Sequence, residues 1–330
     1  MLSTLQLGDG HNIGTSHGKI ALDCSIRRTR QGNVCISTTD FFFPLLDSPY
    51  LTGRIGAANV LSDLYAEGIG CCDFVLMLLA VCRDMEEQER EICTREMVRG
   101  FNDACLEAET VVTGGQTVFN PWPIIGGVAT AIVRDEEYVK SNGAKCGDVV
   151  VLTKPLGTQV AVNVHEWRVR STSQWKEITE KKVLTQEMAE DMMHAAACSM
   201  SRLNRHGGSL MLKHHAHAGT DVTGFGILGH AQNLMDNQED EVGMELHTLP
   251  LIANTSLVEI SGIFNFRLLA GYSAETSGGL LICMPECAAK AYIAELEELD
   301  GGEPAWIVGR VVHDAERKAR IVEDVEILQV

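Results

Sequence analysis

The chain has no apolar run long enough to span a bilayer; the longest, over residues 74–81, has the length of a strand. Its amino terminus lacks the basic-then-apolar order of a secretory signal. Cysteines are present, 11 of them, but they are odd in number and scattered. Cys71 and Cys72 are adjacent, and Cys283 and Cys287 have no second pair, so neither a disulfide framework nor a zinc site is indicated. The expected setting is a reducing one, cytoplasmic and away from membranes. Positive charge is also in short supply: 27 Lys+Arg against 45 Asp+Glu leave a formal net charge of −18. That field repels nucleic acid, whose binding depends on Lys and Arg neutralising phosphates. It repels free nucleotide too, so a nucleotide site here needs metal ions between carboxylate and phosphate. The sequence contains no Walker loop and no convincing dinucleotide fingerprint.

What remains is an ordinary globular composition, 45% hydrophobic and 22% charged, with length for two cores. Periodicity predicts strands near 20–24 and 34–40, a helix over 53–67 and a strand over 73–81. A second helix over 85–108 and strands at 110–113 and 124–133 complete a ββαβαββ order. That order describes an α+β class, a sheet with helices packed on one face. A second α+β unit begins near 147 with a strand over 148–152. Helices follow over 186–204, 223–235 and 287–299, with strands at 279–284, 305–311 and 319–322. The expected domains are therefore 1–146 and 147–330, joined by a polar turn.

Four aspartates stand in unusual settings. Asp40 closes an apolar strand after Ser37-Thr38-Thr39, and Asp23 ends the first strand before Cys24. Asn59 and Asp63 are one helical turn apart and share a face. Hard oxygen ligands at a strand end and on a following helix suit Mg²⁺, which usually bridges to substrate phosphates. The plainer alternatives are a turn-capping aspartate for Asp40 and a solvated polar helix face for Asn59 and Asp63. The Gly53-Arg54-Ile55-Gly56-Ala57-Ala58 run lets that helix approach a ligand or another backbone closely. In the string 218–230, Asp221 or Thr223 either caps the following helix or joins glycine N–H groups that face an anion. The turns Thr113-Gly114-Gly115-Gln116-Thr117 and Glu275-Thr276-Ser277-Gly278-Gly279 carry little alone. His194, His206, His214, His215, His217 and His230 lack a carboxylate or cysteine pattern and read as surface or helix-end residues.

Taken in order, these strings, with Leu152-Thr153-Lys154-Pro155-Leu156-Gly157-Thr158-Gln159, resemble selenophosphate synthetase (selenide, water dikinase) of the eukaryotic type. The resemblance runs from about Asp23 to the carboxyl terminus. It implies the two-domain fold of the aminoimidazole ribonucleotide synthetase-like superfamily, with a ferredoxin-like amino-terminal domain that dimerises through its sheet. It implies synthesis of selenophosphate from selenide, ATP and water, releasing AMP and phosphate. The family's Mg²⁺ ligands fall on Asp23, Asp40, Asp63 and Asp221. Thr38, Thr39 and Asn59 would orient them. Nucleotide contacts fall on Asp40, Asp63, Gly114, Gly115, Gln116 and Thr117, the glycine segment reaching the ATP of a second subunit of a homodimer.

The family also carries an upstream glycine-rich segment with a selenocysteine or cysteine and a lysine. The 22 residues before Asp23 contain no such string; Lys19 is too close to Asp23, and Cys24 follows it. No catalytic residue is therefore assigned, and the expectation is a truncated chain that folds and dimerises but is weak or inactive. The rivals are another enzyme of the superfamily and a non-catalytic, nucleotide-binding regulatory homologue.

Overall fold

The computed structural model describes residues 23–330. Lys19 and the expectation drawn from residues before Asp23 lie outside the described residues. The first half runs β1 (Ser25–Arg28), β2 (Val34–Phe42), α1 (Pro49–Ala66), β3 (Phe74–Cys82), α2 (Glu87–Glu107), β4 (Val112–Asn120) and β5 (Ile124–Val133). The ββαβαββ order holds. These strands form one sheet in the order β1-β2-β5-β3-β4, antiparallel except for the β3–β4 pair. The first strand lies later than periodicity placed it. The Thr113–Thr117 string is no turn either: it runs inside β4, with Gly114, Gly115, Gln116 and Thr117 opposite Leu76, Met77, Leu78 and Leu79. A Cβ on Gly115 would lie 1.9 Å from the Met77 carbonyl oxygen, so the glycine permits a close strand approach.

The second half runs β6 (Asp148–Leu152), α3 (Thr158–Val169), α4 (Ser173–Glu180), α5 (Gln186–Ser201), α6 (Arg205–Lys213), β7 (Ala218–Asp221), α7 (Gly226–Asp236) and β8 (Val242–Leu251). It continues with α8 (Thr255–Ile260), β9 (Leu280–Pro285), α9 (Glu286–Leu299), β10 (Trp306–His313) and β11 (Ala319–Gln329). Its six-stranded sheet has the order β11-β8-β10-β6-β9-β7. Strand β7 places Asp221 at its carboxyl end, beside Leu280 of β9.

The centre of the molecule is α1. Ser48 caps it, its Oγ accepting from Leu51 N at 3.3 Å, and Pro49 opens the first turn. The helix is buried almost all round, as expected of one enclosed by other elements rather than lying on a surface. It packs on β2, β5 and α2 of the first half and on α5, α6, β7 and β9 of the second. Gly53 makes the α1–α2 crossing possible: a Cβ there would meet Met97 O of α2 at 2.0 Å. Its small side serves another backbone, not a ligand. Apolar residues of both halves share one buried cluster, with Leu61, Leu64 and Tyr65 of α1 beside Leu210, Ile282 and Tyr292. No helix among the described residues is long and apolar enough to cross a membrane.

Candidate metal and nucleotide site

Because α1 is enclosed, the polar residues on it have no water to turn to. Asn59 is 7% exposed and Asp63 is 8%, so the solvated-face alternative is excluded. Strand β2 lies against α1, and its alternation points Thr38 inward and leaves Thr39 exposed. Thr38 Oγ1 donates to Asp63 Oδ2. Thr39, expected to orient a ligand, faces away. Asn59 Nδ2 donates to Asp40 Oδ2 at 3.0 Å, two residues before the strand ends rather than at its close.

The other two aspartates come from different halves of the chain. Thr220 Oγ1, one residue before Asp221, donates to Asp23 Oδ2 at 2.8 Å. Ser62 of α1 hydrogen-bonds Asp221 in return. Each aspartate therefore has its own hydroxyl or amide donor. The four bear on one another electrostatically. Burial pushes Asp23 up to about 8, with Asp221 and Asp40 adding repulsion. Burial and Asp221 push Asp40 up to about 6. Burial, then Asp221, Asp23 and Asp40, hold Asp63 well above the usual carboxylate range. Burial raises Asp221 to about 6 against the opposing pull of Ser62 and Lys154. Four carboxylates gathered at this cost, Asp63 and Asp221 buried and Asp23 and Asp40 half-buried, are a poor structural device and a good cation trap.

The donor set fits Mg²⁺. It consists of carboxylate oxygens, and Asp221 Oδ2 is buried with no hydrogen-bond partner, an atom that an ion would satisfy. Ligand atoms of Asp23, Asp221 and His230 all lie within 4.8 Å of one another. His230, expected at the surface or a helix end, is 5% exposed. Burial lowers its pKa to about 4, so the ring is neutral. Its Nε2 accepts from Thr223 N at 3.0 Å and Phe225 N at 3.4 Å, which occupies that lone pair and fixes the turn after Asp221. Neither Asp221 nor Thr223 caps α7, whose N-cap position is Phe225, and of the glycine N–H groups expected to face an anion, that of Gly226 donates to Thr223 O at 3.1 Å. Other histidines also have carboxylate partners: His206 meets Asp300, which Arg202 shares, His214 meets Glu295, which Lys213 shares, and His217 meets Asp148.

Gly114, Gly115, Gln116 and Thr117 do not join the cluster. Asp40 pairs with Gly127, Gly127 with Met77, and Met77 with Gly115. Three strand spacings at one level put Gly115 roughly 14 Å from Asp40 across the sheet. The segment sits on an exposed edge. Cys24 is buried and its thiol is pushed well up by burial and by Asp63, Glu67, Asp23 and Asp221, so it is no thiolate nucleophile.

Comparison with known proteins defines the class. Residues 21–133 match the AIR synthase related protein N-terminal domain, and residues 145–322 match the corresponding C-terminal domain. The fold agrees with a solved structure of hydrogenase maturation protein HypE in complex with ATP: TM-score 0.63 and 16% identity, covering 86% of this chain and 78% of that one. Sequence similarity is much higher to a selenide, water dikinase of Dictyostelium discoideum, 48% identical over 99% of this chain and 89% of the relative. A selenide, water dikinase 2 of Homo sapiens is 49% identical over 94% of this chain and 69% of its own length. The chain belongs to the selenide, water dikinase family, a family of phosphotransferases with the AIR synthase related fold.

Proposed function

We propose that this chain uses ATP and Mg²⁺ to make selenophosphate from selenide and water, releasing AMP and orthophosphate and supplying selenium for selenoprotein synthesis. The observation that carries the proposal is the convergence of Asp23, Asp40, Asp63 and Asp221 in one cluster, two of them buried and two half-buried, each with its own donor. These four would hold the Mg²⁺ ions, which neutralise a triphosphate and the charge that develops as its terminal phosphoryl group leaves. The aspartates act as ligands rather than general bases. Thr38, Asn59, Ser62 and Thr220 keep one oxygen of each carboxylate engaged so that the other can face a cation. With metal bound there, Asp40 and Asp63 would also supply the nucleotide contacts expected of them. Residues 1–146 would form the nucleotide and dimerisation domain and 147–330 the carboxy-terminal domain.

Gly114, Gly115, Gln116 and Thr117 belong in this reading to a second active site, that of a partner copy. Strand β4 is an edge strand, exposed along most of its length, and carries Val118 and Phe119 at 50% and 72% exposure. Phe41, Leu78, Val118 and Ile124 line a shallow apolar depression beside it. Long apolar edges of this kind are covered in native proteins, and a second copy does so here. A cytoplasmic location accords with the free cysteines of the described residues. The test is AMP formation from ATP with Mg²⁺, with and without selenide. Selenide-dependent AMP that disappears in Asp63→Asn supports the proposal. AMP formation indifferent to selenide points to another acceptor.

A further inference from the structure

Lys154 is 1% exposed, a lysine with its whole side chain inside the protein. Buried lysines are rare because the ammonium loses its hydration, so this one needs a reason. Its Nζ donates to Ser277 O at 2.9 Å and to Arg202 O at 2.7 Å. Burial and the nearby Arg202 pull its pKa well down, yet two hydrogen bonds need only two protons and persist in either charge state.

Ser277 is held in a left-handed conformation, φ 48°, at 0% exposure, a geometry that serine adopts only where its surroundings enforce it. The two faces of this residue do different jobs. Its carbonyl is clamped by Lys154. Its N–H donates to Asn59 Oδ1 at 2.9 Å. A backbone N–H can only donate, so it fixes which end of the Asn59 amide it meets, and the amide nitrogen must then face Asp40. A second clamp grips the same loop one residue on. Asn204 Nδ2 donates to Gly278 O at 2.7 Å and to Ser62 Oγ at 2.9 Å. Loop 277–278 is thus gripped by Lys154 and Asn204 on its carbonyl side and hands its N–H to α1.

We propose that Lys154 is a positioning residue for the carboxylate cluster, acting through Ser277 and Asn59 to hold Asp40 in its cation-binding orientation, with Asn204 as the second clamp on the same loop. The inference rests on the metal reading above and extends it to residues that touch no carboxylate of the site through these bonds. Charge alone argues the opposite way: deleting an ammonium that acts on Asp221 strengthens cation binding.

The experiment is equilibrium titration of the full chain with Mn²⁺ as the probe, read by electron spin resonance of the free ion, with thermal melting alongside. Lys154→Met and Asn204→Leu should each weaken Mn²⁺ binding by roughly tenfold or more, the effect usual for a residue that orients a ligand. In a cycle with Asn59→Ala, the Lys154→Met effect should largely vanish, because both act on one path. Should Lys154→Met fail to fold, Asn204→Leu in the same cycle with Asn59→Ala carries the test, because a loss routed through Ser62 would add to that of Asn59→Ala. Folded variants with unchanged or tighter Mn²⁺ binding, or full additivity with Asn59→Ala, overturn the inference. Asp221→Asn separates the two levels: if it too leaves Mn²⁺ binding intact, the metal site itself is wrong, whereas loss there with no effect at Lys154 or Asn204 rejects only the positioning role.

Discussion

Thr220 donates its hydroxyl proton to Asp23 across 2.8 Å, joining residues 197 positions apart in the chain. The bond ties the first described residue to the last strand position before Asp221, so that neither aspartate is placed by its own neighbours alone. Thr220→Val keeps the shape and removes the donor. It should weaken divalent-cation binding by about tenfold and cost about 1 kcal/mol of stability. Cation titration and a urea melt of the same variant measure the two effects separately.

The raised carboxylates make a prediction about pH whose sign is fixed. Asp23 at about 8 and Asp40 and Asp221 at about 6 bind more protons folded than unfolded, where their values return to the model-peptide range. Their contribution is fully present below the unfolded value near 4 and is lost as pH rises through 6 to 8. The cluster should therefore make the metal-free protein less stable at pH 8 than at pH 5. Mg²⁺ should restore stability at pH 8 and do little at pH 5, with protons released on binding. Melting curves at both pH values, with and without Mg²⁺, check it.

Gly53 sets the α1–α2 distance. Gly53→Ala places a methyl group against the Met97 carbonyl, a backbone atom that cannot step aside. The expected cost is about 2–3 kcal/mol, with α1 and its carboxylates displaced, so cation affinity should fall with the melting temperature.

The exposed edge predicts assembly. Val118→Glu and Phe119→Lys put charges on β4 that a paired copy cannot bury, and sedimentation should show the wild-type chain as a dimer and the variants shifted to monomer. A wild-type monomer at micromolar concentration would rule out the shared-site role given to Gly114–Thr117.

The order of elements in the first half was legible because α1, β3 and β5 carry strong periodicity, and all four aspartates stood in strings that could be picked out. Much of the second half was not. Helices α3, α4 and α6 and strands β7 and β8 have polar or mixed patterns whose burial is decided by neighbours far along the chain. Thr113–Thr117 looked like a turn because two glycines break strands in isolation; only the close approach to Met77 explains them inside one. His230 was passed over because its partners Asp23 and Asp221 are distant or off its helical face. Lys154 and Ser277 stood inside noticed strings, but Asn204 stood in none. Their roles depend on hydrogen bonds between segments that no spacing rule connects.

The most direct test is a binding titration of ATP with Mg²⁺ on the full chain and on Asp63→Asn and Asp221→Asn. The site described here predicts that Mg²⁺-dependent nucleotide binding is lost in both, while each variant melts within about 1 kcal/mol of the wild type or above it, since one repelling carboxylate is gone. Undiminished Mg²⁺-dependent binding in both folded variants would contradict it.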